Sequence, residues 1–260
     1  VPGTYYLSIE GRRGQLFAPQ TLTFVMYRLV DDATPIVLGQ SSGTQIGWTT
    51  GPLGNALGFD GLQQVDVANG AAVNLRDSLT LELSFRVDAF GSPWSNLVYK
   101  GNGAGQRTYA LYLNSDGYLH FSSWGGALGT IGLNSAVGSI QVGQWYHAAV
   151  VADRAAGQLR MYLNGAEVAS TALSAIPFVD SAGGLRIGRE INEGSAAFVG
   201  AIDDFRLWNV ARTEAQIVAS RGAALVGDET GLTLNLRFDE GSGTTAANSA
   251  IATQAGTPAG

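Results

Sequence analysis

Acidic residues are the first place to look for chemistry in this 260-residue chain, which has 21 aspartates and glutamates. Glycoside hydrolysis needs two carboxylates about 5 to 10 Å apart, on either side of one bond. Side chains at i and i+2 share a face of a β-strand, so spaced acidic pairs would serve. The acidic residues lack that spacing, because they are isolated, adjacent or three apart, as in Glu82, Asp203-Asp204, Asp239-Glu240, and Glu190 with Glu193. The sequence therefore predicts a protein that is not an enzyme.

The two histidines, His120 and His147, have no clear catalytic setting. His147 shares the strand face of Trp145 and Ala149, which predicts a core histidine whose ring nitrogens are satisfied by protein groups. The alternative is a base or a metal ligand. His120 alternates with Leu119 and Phe121 and is expected to face outward.

Asp203 is the acidic residue that best suits a metal ion. In a regular strand it would share a face with Phe205 and Leu207. A carboxylate on such a packed face is costly unless it is paired or holds a cation. Calcium prefers oxygen ligands, so we expect a structural Ca²⁺ at Asp203. The alternative is that backbone N–H groups or an arginine satisfy this carboxylate.

Four further residues are candidates for ligand binding. Trp94 and Trp124 lie in turn-like sequence, where an exposed ring would offer a platform for a sugar face or a partner side chain. The alternative is that each ring folds back over the end of the domain. Lys100 and Arg189 lie beside glycines and could contact an anionic ligand, although solvated charges are the alternative.

Composition indicates which elements must position these residues. The chain has 36 glycines, only 14% charged residues and no cysteine. Low charge and many glycines favour strands joined by tight turns, and the lack of cysteine excludes disulfides and thiolate metal sites.

A net charge of −6 and a single lysine argue against nucleic acid as a partner. No apolar run approaches the roughly 20 residues that cross a bilayer, so membrane insertion is not expected.

Period-two alternation predicts the strands. Turn sequences at Asn164-Gly165 and Ser115–Gly117 predict hairpins. Thr213, with Gln216 three residues on, predicts one short helix with a capping box over residues 213–220. The fold class predicted is all-β, a two-sheet antiparallel sandwich. The alternating segments are residues 22–26, 79–87, 145–151, 159–163 and 232–238.

The two ends of the chain differ from its middle. Residues 1–50 are expected to form N-terminal strands or the end of a preceding module. Residues 51–243 are expected to form the sandwich. After Gly243 the sequence becomes rich in Ala, Thr and Gly, so residues 244–260 are expected to be a linker or the start of a following module. Because the chain begins at Val1 without methionine, we expect it to be part of a longer protein.

Several motifs, in order, resemble laminin G-like domains of the concanavalin A-like lectin/glucanase superfamily over roughly residues 51–225. The resemblance implies a jelly-roll sandwich that recognises glycans or proteins. It also implies a structural calcium held by the late Asp203, by backbone carbonyls and by an early acid, for which Asp60 is the best match. Pro2–Glu10 is similar to the last strand of repeats in large bacterial secreted proteins. The motifs are Gly54–Gly61, Leu97–Gly101, Trp145–Val150, Leu159–Gly165, Leu185–Arg189 and Gly200–Leu207.

These observations predict a non-catalytic, secreted or cell-surface module that binds carbohydrate or a cell-surface protein and serves adhesion beside neighbouring modules of the same chain. One alternative is a structural spacer in a multidomain adhesin, and another is a glycosidase-like enzyme. An exposed aromatic cluster would favour binding over the spacer, and a cleft with two facing carboxylates would favour the enzyme.

Overall fold

Alternating apolar residues build two facing β-sheets in the computed structural model, which describes residues 36–40, 47–91, 93–103, 106–189 and 196–250. The chain divides into two units, residues 1–32 and 33–260, of which the first lies outside the described residues. The strands of the second unit are β1 (Ile36–Gln40), β2 (Gly47–Gly51), β3 (Gly54–Asp60), β4 (Gln63–Val67), β5 (Leu79–Ala89), β6 (Trp94–Gly101), β7 (Arg107–Asn114), β8 (Tyr118–Gly125), β9 (Gly129–Asn134), β10 (Trp145–Asp153), β11 (Gln158–Leu163), β12 (Ala166–Ala172), β13 (Leu185–Ile187), β14 (Ala196–Ala197), β15 (Val199–Trp208), β16 (Leu232–Leu236) and β17 (Thr245–Ala246).

The first sheet has nine strands, in the order β17-β1-β4-β13-β6-β7-β8-β9, with β14 pairing to β6. The second sheet has eight strands, in the order β12-β11-β10-β5-β15-β3-β2, with β16 pairing to β15. All these pairs are antiparallel except the short parallel pair of β14 and β6. The predicted all-β, two-sheet jelly-roll class is therefore confirmed.

The core lies between the sheets and is formed by the inward residues of the alternating strands. Leu81, Leu83 and Phe85 of β5 are fully buried, and they pack in one cluster with Leu111 of β7 and Phe121 of β8. Burial of such side chains contributes about 1.5–3 kcal/mol each. The alternating segments predicted at residues 79–87, 145–151 and 159–163 are confirmed as β5, β10 and β11.

One prediction of local structure needs adjustment. The strand predicted over residues 232–238 ends at Leu236, because Phe238 adopts a positive φ of 52° that breaks the extended backbone. The strand predicted near residues 22–26 lies outside the described residues.

Both predicted hairpins are confirmed, with Asn164-Gly165 joining β11 to β12 and Ser115–Gly117 joining β7 to β8.

The helix α1 (Glu214–Ser220) forms where the capping box predicts it. The Thr213 side chain accepts a hydrogen bond from the Gln216 backbone, and the Gln216 side chain accepts one from the Thr213 backbone. Ile217 is buried with Ala149 and Val151 on the outer face of the eight-stranded sheet. The helix thus covers that face. Among the described residues, no helix is long and apolar enough to cross a membrane.

The structure extends the sandwich beyond the predicted boundaries of residues 51 and 243. In the segment 1–50, β1 pairs with β4, and β2 pairs with β3. In the segment 244–260, β17 pairs with β1, and Asn248 bridges to Leu236. Residues 36–40 and 47–50 thus contribute strands to both sheets.

Candidate functional site

An aromatic cluster, formed by Trp94, Tyr112, Tyr118 and His120, lies on the outer face of the nine-stranded sheet. Leu111 and Leu113 belong to the core, so Tyr112 between them points to the opposite face. The centre of the Trp94 ring lies 6.2 Å from that of Tyr112, 5.7 Å from Tyr118 and 5.2 Å from His120. Strands β6, β7 and β8 pair in that order and bring these rings together.

The cluster leaves aromatic surface exposed. Trp94 is 37% exposed and Trp124 is 45% exposed. Trp124 shares a strand face with His120, because an even number of positions separates them on β8. They are four positions apart, which corresponds to roughly 13 Å. The outer face therefore offers two exposed indole rings, one at the cluster and one farther along β8.

Arg107 contributes a positive charge beside the cluster. It stands opposite Trp124 in the pairing of β7 with β8. Its guanidinium carbon lies 5.3 Å from the centre of the Tyr112 ring, within the range of a cation–π interaction, and its Nη1 donates a hydrogen bond to the Tyr112 hydroxyl. The charge is therefore held over an aromatic ring at a fixed place on the face.

His120 is uncharged at neutral pH. Burial lowers the pKa of His120 below 6.5, and the nearby Arg107 charge lowers it further, although the contact with Asn134 acts in the opposite direction. Its Nδ1 lies 2.5 Å from the Asn134 side-chain oxygen, which can only accept a hydrogen bond. Nδ1 therefore carries the proton, and Nε2 is left as an acceptor for a hydroxyl group.

The two cations predicted for ligand binding lie elsewhere. Lys100 is fully buried, and its Nζ donates hydrogen bonds to the carbonyl oxygens of Ser181 and Gly183, at 2.8 and 2.6 Å. Burial lowers the pKa of Lys100 to about 8. Lys100 thus ties β6 to a loop and offers no charge to solvent, which corrects the interpretation of the Lys-Gly pair as an exposed loop. Arg189 is half-buried just after β13.

Asp203 lies at a bulge that reverses the predicted facing of β15. Asp203 pairs with Ser84 and Arg206 pairs with Glu82, so three steps on β15 match two on β5. Asp204 takes up the extra residue with a positive φ of 48°. Asp203 therefore shares the side of Ser84, whereas Phe205 and Leu207 point into the core. The expectation that Asp203 shares their face is corrected by this bulge.

Asp60 and Asp203 are not brought together. Asp60 pairs with Val199, four residues along β15 from Asp203, which is roughly 13 Å away. Asp60 is exposed, and its side chain accepts a hydrogen bond from the Leu62 N–H in a turn. The structure thus supports the turn interpretation of Asp60 rather than a shared metal site.

Asp203 has other acidic neighbours. Burial raises the pKa of Asp203 to about 7, with further contributions from the charges of Asp204 and Asp239. Its Oδ2 accepts a hydrogen bond from the Leu53 N–H, whereas its Oδ1 is buried without a hydrogen-bond partner. In the described part of the chain, no three His, Cys, Asp or Glu residues form a metal-binding group. A cation at Asp203 would therefore need backbone carbonyl ligands as well.

A buried ionic triad, formed by Glu82, His147 and Arg212, lies under α1 on the outer face of the eight-stranded sheet. Glu82 is fully buried, with Oε2 at 3.3 Å from His147 Nε2 and Oε1 at 2.5 Å from Arg212 Nη1. Arg212 also donates hydrogen bonds to the Gln216 carbonyl and the Ser220 hydroxyl of α1. The triad holds the helix on the sheet, and α1 covers its charges.

Sequence reasoning missed Tyr112, Tyr118 and Arg107, and it expected Trp94 and Trp124 in loops. Both tryptophans lie at strand ends, on one face of the sheet. Part of the missing signal was available, because Tyr118 and His120 alternate with the apolar Leu119 and Phe121 of β8. It becomes informative only when the strand order is known.

The sequence matches a family model named Laminin_G_3 and described as concanavalin A-like lectin/glucanases superfamily, over residues 59–218. No curated protein matches the sequence significantly.

Solved structures of low sequence identity share the fold. One is a candidate carbohydrate binding protein from Bacteroides ovatus, with 21% identity and a TM-score of 0.57, covering 79% of this chain and 52% of that one. Another is domain 4 of AbnA, an extracellular GH43 arabinanase from Geobacillus stearothermophilus, in complex with arabinotriose. It has 20% identity and a TM-score of 0.50, covering 68% of this chain and 81% of that one. The chain thus spans about half the length of the Bacteroides protein.

A third similar structure is the binding domain of Paraclostridial Mosquitocidal Protein 1. It has 15% identity and a TM-score of 0.57, covering 71% of this chain and 46% of that one. At these identities the likeness shows a shared fold and no more.

Proposed function

The chain belongs to the Laminin_G_3 family of the concanavalin A-like lectin/glucanases superfamily, and we propose that it is a non-catalytic module that binds glycans through the aromatic cluster. The single observation that carries the proposal is the exposed ring of Trp94, held by three neighbouring rings on the outer sheet face. A fold of this kind hosts many functions, so the site must carry the argument.

The chemistry of the aromatic cluster suits a sugar. An indole ring offers a flat apolar surface to the C–H groups of a sugar ring, while nearby polar groups fix the hydroxyls. Trp94 and Trp124 supply such surfaces, and His120 Nε2 supplies an acceptor. Because Trp94 is held on three sides, little conformational entropy is lost when a ligand stacks on it.

The setting of Glu82 supports a binding role over a catalytic one. Hydrolysis would need two facing carboxylates. The buried Glu82 is paired with Arg212 and His147 beneath α1, where a polysaccharide has no access. The exposed cluster also favours binding over a purely structural spacer, since a spacer needs no aromatic surface.

The setting we propose is the outside of the cell, where the module would serve adhesion as part of a longer secreted or cell-surface protein. The fold shared with a candidate carbohydrate binding protein and with a domain of an extracellular arabinanase supports this setting. Neighbouring modules of the same chain would then present the aromatic cluster to surface carbohydrate or to a cell-surface protein.

We also propose a structural calcium at Asp203. The partnerless Oδ1 of Asp203 and the crowding around the turn between β2 and β3 fit a cation. A Cβ at Gly51 would lie 2.3 Å from Asp203 Oδ2, and one at Gly54 would lie 2.2 Å from Asp239 Oδ1, so glycine lets the backbone approach both carboxylates. Asp203 and Asp239, with carbonyl oxygens of that turn, would hold the ion, and Asp239 would exchange its contacts with Arg237 and the Asn55 N–H for it.

Calcium should therefore stabilise the protein. At 100 times its dissociation constant, an ion that binds only the folded state adds about 2.7 kcal/mol, which raises the melting temperature by roughly 5–10 °C in a domain of this size. Asp203→Asn should abolish the difference between millimolar calcium and EDTA. Asp60→Asn makes the same change on an exposed turn and should keep the difference. Identical melts of the parent in both buffers would contradict the calcium proposal.

A glycan array tests the proposed function most broadly. The purified chain should bind a defined subset of printed oligosaccharides, and the bound subset should compete with the same sugars in solution. Absence of binding to every printed glycan, by a chain whose unfolding transition is cooperative, would overturn the proposal and favour the spacer.

A further inference from the structure

We propose that the aromatic face selects acidic oligosaccharides, with Arg107 binding a sugar carboxylate of the uronic-acid class. This inference rests on the proposed glycan-binding function and adds the class of ligand. It starts from the charge on that face rather than from its rings.

Arg107 has unused hydrogen-bonding capacity. Its Nη1 donates one N–H to the Tyr112 hydroxyl, and its Nε is buried without a hydrogen-bond partner, so the donors left for a ligand are the remaining N–H groups of Nη1 and Nη2. Among the described residues, no carboxylate lies within 4.0 Å of its guanidinium, in contrast to Arg186, which pairs with Asp66 on the same sheet, and Arg212, which pairs with Glu82. The protein thus holds a cation at this place without neutralising it.

The position of Arg107 suits a ligand that also stacks. Arg107 lies over the Tyr112 ring and directly opposite the exposed Trp124 in the strand pairing. Tyr112 also packs against Trp94, with the ring centres 6.2 Å apart. A sugar ring lying on Trp124 therefore places its substituents next to the guanidinium.

A carboxylate matches this guanidinium better than a hydroxyl does. The planar fork of an arginine donates two parallel hydrogen bonds to a carboxylate, and such charge-assisted bonds are about twice as strong as neutral ones. The contact with Tyr112 restricts the fork before the ligand arrives, so less entropy is lost on binding. The neutral His120 adds an acceptor for a sugar hydroxyl. Because His120 is uncharged, it does not repel the Arg107 guanidinium.

The net charge of the chain points to a local contact rather than to long-range attraction. The net charge is −6, so the protein as a whole repels an anionic glycan. At physiological ionic strength this repulsion is screened beyond about 8 Å, whereas a direct contact with Arg107 is not. The selectivity should therefore depend on this one side chain.

The test compares uronic-acid oligosaccharides with their carboxyl-reduced counterparts, which keep the same ring stereochemistry but lose the charge. The parent should bind the acidic form at least about tenfold more tightly. Arg107→Met should lose roughly 10- to 100-fold for the acidic form and little for the reduced form. Arg107→Lys keeps the charge without the planar fork, so its affinity for the acidic form should lie between those of the parent and of Arg107→Met. Arg160→Met, on the other sheet, is the matched control.

The possible results distinguish carboxylate selection by Arg107 from glycan binding by the aromatic cluster. Binding of reduced sugars as tightly as acidic ones, with a dependence on Trp94, would overturn the charge selection and leave the glycan-binding site standing. Binding confined to sulfated neutral sugars would overturn the carboxylate assignment. An Arg107→Met protein that melts like the parent and binds acidic sugars unchanged would also overturn it. Failure to bind any sugar would overturn both proposals.

Discussion

Glu82→Gln should lower the free energy of unfolding by roughly 3–5 kcal/mol. Glu82 is fully buried, and its two oxygens face His147 and Arg212. Replacing the carboxylate by an amide of the same shape leaves the Arg212 charge uncompensated in a dry site under α1. Removal of one partner from a buried ion pair costs far more than loss of a surface pair, which is worth about 0–1 kcal/mol.

Urea unfolding followed by tryptophan fluorescence measures the effect, with Glu214→Gln as the control. Glu214 is exposed in the first turn of the same helix, so its substitution should change the free energy by well under 1 kcal/mol. A loss for Glu82→Gln no larger than that for Glu214→Gln would contradict the assignment of the buried ionic triad as the helix anchor.

The effect of Glu82→Gln on stability should also depend on pH. Burial alone would raise the pKa of Glu82, but the His147 contact and the Arg212 charge outweigh it, so the pKa lies below 4.5. A carboxylate with a lowered pKa contributes stability that is present above its unfolded value and is lost as the pH falls through its folded value. The difference in stability between the parent and Glu82→Gln should therefore be full at pH 6 and shrink below pH 4.5.

Trp94→Ala should reduce affinity for a bound glycan by at least about 30-fold, as expected when a central aromatic contact worth 2 kcal/mol or more is removed. The substitution removes the exposed ring of the aromatic cluster and its contacts with Tyr112, Tyr118 and His120. Trp94→Phe keeps a smaller ring and should recover part of the loss. Isothermal titration with a glycan selected from the array measures each variant.

Trp145→Ala is the matched control for Trp94→Ala. Trp145 is half-buried on the other sheet, where Arg86 lies over its ring at 5.4 Å. Its loss should leave the affinity unchanged, although it lowers stability somewhat. Equal losses of affinity in the two variants would mean that unfolding, and not a missing contact, explains the effect.

Local signals predicted the elements of the fold well. The alternation of Leu81, Leu83 and Phe85 predicts β5, because a half-buried strand requires it. Thr213 and Gln216 predict the start of α1, because the capping box satisfies backbone donors that the helix leaves free. These features depend on neighbours in sequence, so they can be recognised without the tertiary fold.

The site residues were harder to place, because their environment depends on strand pairing. The bulge at Asp204 shifts the facing of Asp203, and a non-glycine residue with positive φ has no marker in the alternation. The glycine that follows Lys100 suggests a loop, yet β6 continues through Gly101. The Lys100 ammonium donates hydrogen bonds to backbone carbonyls instead of facing solvent. The aromatic cluster joins three strands, so only their order reveals it.

Nuclear magnetic resonance of the five tryptophan indole N–H groups tests the central claim most directly, since each indole reports on a different part of the molecule. On titration with a glycan that the chain binds, the indole signals of Trp94 and Trp124 should shift, whereas that of the buried Trp208 should stay in place. Shifts confined to Trp208 or Trp145, on the eight-stranded sheet, would contradict the account by placing the ligand on the opposite face.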